Sequence, residues 1–121
     1  GPAPAHLVGR ASASDIVLAP TDRPDRWQLR VDVSNTGLYD HPVDHVPGLV
    51  LIEAAYQAAH ALTGPHAALP RTVTTAYDQY IEFGEPCWIE AAVTSTAEPG
   101  RDVIEVTGSQ GGRTAFRMTL A

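Results

Sequence analysis

Two histidines stand just ahead of an apolar segment that contains a carboxylate. His41 and His45 each follow an aspartate shortly before Pro47, and Glu53 lies among Leu, Val, Ile and Ala residues. An imidazole titrates near neutral pH and can take up or release a proton. A carboxylate surrounded by apolar side chains is desolvated, which suits it to acid or base work. These residue types at this spacing predict proton-transfer chemistry beside the start of a helix.

Start and stop signals predict that helix. Pro47 suits a first turn because it has no N–H to leave unpaired, and Gly64-Pro65 ends the pattern. The residues between them are apolar nearly all round, which is typical of a buried core helix. At about 100° per residue, its polar side chains share one stripe. That stripe consists of Glu53, Tyr56, Gln57 and His60.

The first backbone N–H groups of this helix form a second candidate feature. They have no partner within the helix and lie at the positive end of its dipole, so Gly48 and Leu49 favour a developing oxyanion. Gly48 also has no side chain to obstruct a substrate. We therefore predict that Gly48 and Leu49 contact substrate. Tyr56 and Gln57 are also predicted to contact it, as residues of a pocket wall or an interface.

Our hypothesis is that His41 and Glu53 carry the chemistry, with His45 as the other candidate proton shuttle. Asp44 or Asp40 would orient a histidine. Several alternatives stay open. Asp44 could instead cap the helix, and Glu53 could face a partner across a dimer interface. The two histidines, Asp44 and Glu53 are also competent metal ligands, but no tight ligand motif supports that interpretation, and we predict no metal.

Other side chains have weaker claims. Cys87 lies in an alternating segment without a nearby histidine, which favours buried packing over a nucleophilic thiol. Four arginines are candidates to bind a phosphate of a substrate or of a carrier's pantetheine arm. They are Arg30, Arg71, Arg113 and Arg117.

Composition excludes several classes of function. The 121 residues suit one domain, and the net charge of −6 without a basic run argues against nucleic acid or an anionic membrane as partner. There is no lysine, so this chain cannot form a Schiff base. We predict no cofactor. A single cysteine, no membrane-length apolar span and no signal peptide predict a cytoplasmic protein.

Six segments outside the helix have strand character. They are Asp15–Pro20, Trp27–Ser34, Thr72–Phe83, Cys87–Thr96, Asp102–Ser109 and Arg113–Leu120. Turn residues link the first two as a predicted hairpin. Short breaks at 84–86, 98–101 and 111–112 predict that the last four form an antiparallel meander.

One apolar helix beside about six antiparallel strands predicts an α+β, single hotdog fold, in which the sheet curls around a long central helix. The uncovered side would carry the polar stripe, which a second copy could cover. Residues 1–5 are expected to be a disordered tag remnant because Gly1-Pro2 is typical of protease cleavage, and residues 6–121 are expected to form the domain.

The string D-H-P-V-D-H-V-P-G-L-V-L-I-E-A-A from Asp40 resembles the hotdog domain of A-factor (γ-butyrolactone) biosynthesis enzymes, the AfsA type. So do V-G-R-A-S-A-S-D-I-V-L-A from Val8, L-R-V-D-V from Leu29 and Y-I-E-F-G-E-P-C-W-I-E-A from Tyr80. A more distant likeness is to the hotdog 3-hydroxyacyl dehydratases, whose P-G-V-L and E-A-x-x-Q motifs fit here while their histidine motif does not.

The resemblance implies an acyl-thioester enzyme of secondary metabolism. AfsA-type enzymes transfer a β-ketoacyl group from the phosphopantetheine of acyl carrier protein to a hydroxyl of dihydroxyacetone phosphate, and hotdog enzymes place the thioester at the helix N-terminus. The family also implies a homodimer or pairing with a second hotdog repeat. The alternatives are a dehydratase, a thioesterase, or a non-catalytic acyl-binding or docking domain of a larger synthase.

Overall fold

The computed structural model describes residues 1–10, 12–32, 38, 45–63, 72–98 and 101–121. These residues form two α-helices, one 3-10 turn and six strands. In chain order they are α1 (Ala5–Val8), the 3-10 turn (Ala13–Asp15), β1 (Leu18–Pro20), β2 (Arg26–Leu29), α2 (Gly48–Thr63), β3 (Val73–Tyr77), β4 (Cys87–Glu98), β5 (Arg101–Gln110) and β6 (Arg113–Leu120).

Helix α2 is the predicted central helix, and it begins directly after Pro47. Its Ala- and Leu-rich sequence favours helix, and its apolar residues are buried. The buried set on α2 is Val50, Leu51, Ala54, Ala55, Ala58 and Ala59. They pack against β4, β5 and β1, so the core lies between this helix and one face of the sheet.

The strands form one antiparallel sheet in the order β1-β2-β4-β5-β6-β3. Its buried face carries Ile89, Val106, Phe116 and Met118, all less than 2% exposed. A single long helix against a six-stranded antiparallel sheet confirms the predicted α+β hotdog fold. The first hairpin is also confirmed, with Leu18 opposite Leu29. Strand β2 ends earlier than predicted, and Val31 beyond it is 43% exposed.

The predicted four-strand meander is only partly correct. Strands β4, β5 and β6 do follow one another, but β3 lies at the far edge and pairs with β6. Strand β3 stops at Tyr77, and residues 78–86 then cross the end of the sheet to reach β4. Ile81 is buried on this crossing segment, and its carbonyl accepts from the Val46 N–H at 2.8 Å. The break at 84–86 therefore ends a crossover and does not turn a hairpin.

The polar stripe of α2 was expected to be uncovered, and this expectation is wrong. The N-terminal segment of the same chain lies over it. Gln57 is fully buried, and His60 Nδ1 lies 2.9 Å from the Leu7 carbonyl. Packing begins before residue 6, because Ala3 is buried and its N–H donates to the Leu18 carbonyl at 2.8 Å. Within the described ranges, no helix is long and apolar enough to cross a membrane.

Candidate functional site

An open groove of about 810 Å³ lies at the start of α2. Its walls come from the residue before the helix, from α2 itself, from the crossing segment after β3, and from the β5–β6 turn. The lining includes Val46, Leu51, Tyr77, Tyr80, Gln110 and Arg113. A groove of this volume lies within the usual range for small-molecule sites.

The first turn of α2 is accessible beside this groove. Gly48 is exposed and Leu49 is 55% exposed. The Pro47 carbonyl accepts from the N–H of Val50 at 3.0 Å, which is the first bond of the helix. The N–H groups of Gly48 and Leu49 precede that bond and have no partner within the helix. The predicted oxyanion donors are therefore placed where a substrate could reach them.

Tyr77 lies across from this helix start, at the end of β3. A Cβ placed on Gly48 would be 3.5 Å from the Tyr77 hydroxyl, so the two groups are neighbours. The Tyr77 ring lies 6.3 Å from the ring of buried Phe116, centroid to centroid. Phe116 in turn covers the backbone of Gly108, where any Cβ would clash at 2.0 Å. Partial burial raises the pKa of Tyr77, which favours the protonated hydroxyl.

Gln110 fixes the opposite wall. It is only 3% exposed, and its side-chain carbonyl accepts from the Glu82 N–H at 2.8 Å. Its amide nitrogen donates to the carbonyls of Glu82 and Glu85 at 2.9 and 3.0 Å. All three bonds hold the crossing segment to the end of β5. Sequence reasoning missed this residue, because a glutamine at a strand end carries no local signal of its partners.

Glu53 is paired with an arginine that the sequence did not single out. Arg10 Nε donates to the Glu53 carboxylate, and the side chains are 35% and 21% exposed, respectively. This hydrogen bond raises the pKa of Arg10. Glu53 does not line the groove, since it lies about 200° around the helix from Leu51. Its place one turn after Leu49 still leaves it close to the helix start.

Gln57 supports the same carboxylate. Its amide nitrogen donates to Glu53 at 2.9 Å and to the Asp15 carbonyl at 2.7 Å, while its oxygen accepts from the Val17 N–H at 3.0 Å. The amide is thus engaged within the protein, in contrast to its predicted contact with substrate. Tyr56 is partly buried and packs against the core.

The family model of the A-factor biosynthesis hotdog domain, AfsA, matches residues 2–121. The chain belongs to this family.

Curated relatives agree with the family assignment. A 2-oxo-3-(phosphooxy)propyl 3-oxoalkanoate synthase of Streptomyces griseus is 44% identical over 99% of the chain, and its counterpart in Streptomyces virginiae is 47% identical over 90%. The matches span 40% and 37% of those proteins, respectively. The AfsA-type domain described here therefore corresponds to about two fifths of the length of such relatives.

Solved structures share the fold. Protein PH1136 from Pyrococcus horikoshii superimposes with a TM-score of 0.65 at 14% identity, over 98% of this chain and 90% of that one. A thioesterase from Thermus thermophilus, solved with coenzyme A and Zn, gives 0.61 at 16% identity, over 80% and 75% of the two chains. At these identities the likeness establishes the hotdog architecture alone.

The remaining predicted residues of the AfsA-type domain divide into two groups. His45 is partly buried and stacks on Tyr80, with ring centroids 4.1 Å apart. This contact brings one candidate proton shuttle to the groove wall. His41, Asp40 and Asp44 lie outside the described residues, so their roles stay predictions.

The four candidate arginines are not equivalent in the AfsA-type fold. Arg30 donates to the carbonyls of Ala13 and Ile16, and Arg117 pairs with Glu105 at 3.4 Å. Arg113 is exposed and lines the groove. Arg71 lies outside the described residues. Among the three that are described, only Arg113 lines the groove.

Cys87 is 3% exposed, and burial raises the pKa of its thiol to about 12. A thiol held neutral in a closed environment is a poor nucleophile. The structure agrees with the packing role expected from the sequence.

Proposed function

We propose that this domain takes part in transferring a β-ketoacyl group from a carrier-bound thioester to a hydroxyl of dihydroxyacetone phosphate. The observation that carries the proposal is the identity of 43–47% to synthases of 2-oxo-3-(phosphooxy)propyl 3-oxoalkanoate. That product is the ester of a 3-oxo acid with dihydroxyacetone phosphate, so its synthesis joins an acyl group to an alcohol. The accessible helix start and the groove supply a site of suitable chemistry.

The thioester carbonyl is proposed to lie at the start of α2, where the N–H groups of Gly48 and Leu49 can donate to its oxygen. Negative charge on that oxygen grows as the alcohol adds, so these donors bind the tetrahedral intermediate more strongly than the substrate. The groove beside Leu51 and Tyr77 then holds the acyl group and the adjoining part of the carrier arm.

Glu53 is proposed to accept the proton of the attacking hydroxyl. Arg10 and Gln57 both donate to its carboxylate, which holds the carboxylate in one orientation. The hydroxyl oxygen bonds to the carbonyl carbon, the carbon–sulfur bond breaks, and the pantetheine thiolate leaves and takes up a proton. Gln57 and Arg10 therefore position the base, and neither touches substrate.

The histidines are proposed to give a proton to the leaving thiolate and to recover one from solvent, while Glu53 releases to solvent the proton that it took from the hydroxyl. His45 lies at the groove wall on Tyr80, and His41 is the second candidate, oriented by Asp44 or Asp40. Arg113 is proposed to bind a phosphate, either of the acceptor or of the pantetheine arm, because it is exposed on the same groove.

The partners proposed are an acyl carrier protein in the cytoplasm and a second hotdog unit. Strand β3 is an edge strand of the sheet, and unpaired edges favour pairing with another chain or repeat. Exposed apolar side chains lie close to that edge and to the helix start: Leu49, Tyr77 and Tyr80. The greater length of the curated relatives supports a second repeat as one such partner.

The product itself tests this proposal. The chain is incubated with a 3-oxoacyl carrier protein and dihydroxyacetone phosphate, and small molecules are analysed by mass spectrometry. We expect a phosphorylated ester whose mass is that of the 3-oxoacyl carrier protein plus dihydroxyacetone phosphate, less the mass of the free carrier thiol. Appearance of only the free 3-oxo acid would identify a hydrolase instead, and a carrier-bound acyl group that stays intact would support a binding or docking domain.

A further inference from the structure

We propose that Tyr77 recognises the 3-oxo oxygen of the acyl group and so makes the groove selective for 3-oxoacyl over saturated acyl chains. This inference rests on the proposed function, because it takes the thioester carbonyl to lie at the start of α2. Tyr77 was not among the residues predicted from the sequence, and it lies outside the Glu53 cluster.

The placement of the hydroxyl carries the inference. Tyr77 lines the groove, and its oxygen is 3.5 Å from the position that a Gly48 Cβ would occupy. A 3-oxoacyl thioester has a second carbonyl separated from the first by a single methylene carbon. When the first oxygen is bound by the helix N–H groups, the second falls within a few ångströms of them. The Tyr77 hydroxyl lies beside the Gly48 backbone and can donate a hydrogen bond to this second oxygen.

The ring is held where this contact requires it. Tyr77 pairs across the sheet with Phe116, and the two rings pack at a tilt of 51°. Phe116 is fully buried and lies tightly over Gly108. No hydrogen bond joins the Tyr77 hydroxyl to another residue in the described part of the chain, so its donor is available. Partial burial raises the pKa of Tyr77, so the phenol keeps its proton at neutral pH.

A saturated acyl chain offers no oxygen to this hydroxyl. The phenol would then remain beside a methylene group and lose hydration without a replacement, which disfavours the saturated ligand. Because Tyr77 is still 52% exposed, water can replace part of the lost hydrogen bonding to its hydroxyl. We expect a preference of roughly 3- to 10-fold, as for one hydrogen bond that is partly open to solvent.

The test compares 3-oxoacyl and saturated acyl pantetheine thioesters of equal chain length. Binding is measured by calorimetry and transfer by product formation, for the unaltered chain, Tyr77→Phe and Thr75→Val. The control removes a hydroxyl from the same strand and the same face, two residues away and outside the groove lining. Thermal unfolding verifies that all three proteins are folded.

The unaltered chain and Thr75→Val should prefer the 3-oxoacyl ligand, and Tyr77→Phe should bind the two ligands equally. Tyr77→Phe should weaken binding of the 3-oxoacyl ligand and leave binding of the saturated ligand unchanged or slightly stronger, whereas a purely structural role would weaken both. An unchanged preference in Tyr77→Phe, or no preference in the unaltered chain, would overturn the inference. If binding shows a preference that depends on Tyr77 but no transfer product forms, the inference is upheld and the proposed transferase function is overturned.

Discussion

The Arg10 guanidinium and the Glu53 carboxylate are joined across 43 positions of sequence. The pair fastens the N-terminal segment to the central helix and holds the carboxylate close to the helix start. Gln57 adds a second donor from one turn further along the helix. A carboxylate held by two donors has a fixed orientation, which is what a base in acyl transfer needs.

Glu53→Gln should abolish most of the transfer while leaving the fold nearly as stable. Loss of a general base typically lowers the rate by about 10²- to 10⁴-fold. A partly exposed ion pair contributes only about 0–1 kcal/mol to the free energy of unfolding. Initial rates and thermal unfolding, measured on the same preparation, separate the two effects.

The matched control is Glu105→Gln, which removes the carboxylate of the surface pair with Arg117. It should change neither rate nor stability by much. Equal and small effects of the two substitutions on the rate would show that the Glu53 pair serves only to fasten the N-terminal segment.

Gly108→Ala should destabilise the domain because the new methyl group would collide with the Phe116 ring at 2.0 Å. Overpacking of this kind costs about 1–3 kcal/mol. Denaturant unfolding gives the free energy directly. Adding Phe116→Leu should recover part of the loss, since the smaller side chain vacates the space above residue 108. Strict additivity of the two substitutions would show that the contact does not control stability.

The helix was predictable in detail, and the site only in part. Pro47 and the Gly64-Pro65 step bracket α2 through local backbone chemistry, which sequence displays directly. The place of β3 was not predictable, since a break with turn residues ends a crossover or a hairpin equally well. Arg10 was missed for a related reason: its partner is remote in sequence, and only the fold brings the two together.

Gln110→Leu should loosen the wall of the groove. The substitution leaves the Glu82 N–H and the carbonyls of Glu82 and Glu85 without their partner, which costs about 1–3 kcal/mol for buried polar groups. Amide exchange in residues 81–86 should accelerate, and the KM for the acyl carrier should rise. Thr114→Ala, on the exposed part of the same turn region, is the control. Unaltered exchange in residues 81–86 would contradict this role.

Cys87 should resist alkylation by iodoacetamide in the folded chain at pH 8 and react at once in denaturant, as measured by intact mass. Its thiol has a pKa of about 12 against an ordinary 9.0, so the folded state favours the neutral form. The burial of the neutral thiol therefore stabilises the folded state fully below pH 9. This stabilisation is lost as the pH rises from 9 towards 12, because the thiol ionises first in the unfolded chain. Rapid alkylation of the folded chain would contradict the burial of Cys87.

The most direct test of the account is the intact mass of a 3-oxoacyl carrier protein incubated with this chain. Dihydroxyacetone phosphate is present or absent, and the chain is either unaltered or Glu53→Gln. We predict that the carrier loses its acyl group only when dihydroxyacetone phosphate and the unaltered chain are both present. Acyl loss without dihydroxyacetone phosphate, or equal loss with Glu53→Gln, would contradict transfer by the proposed site.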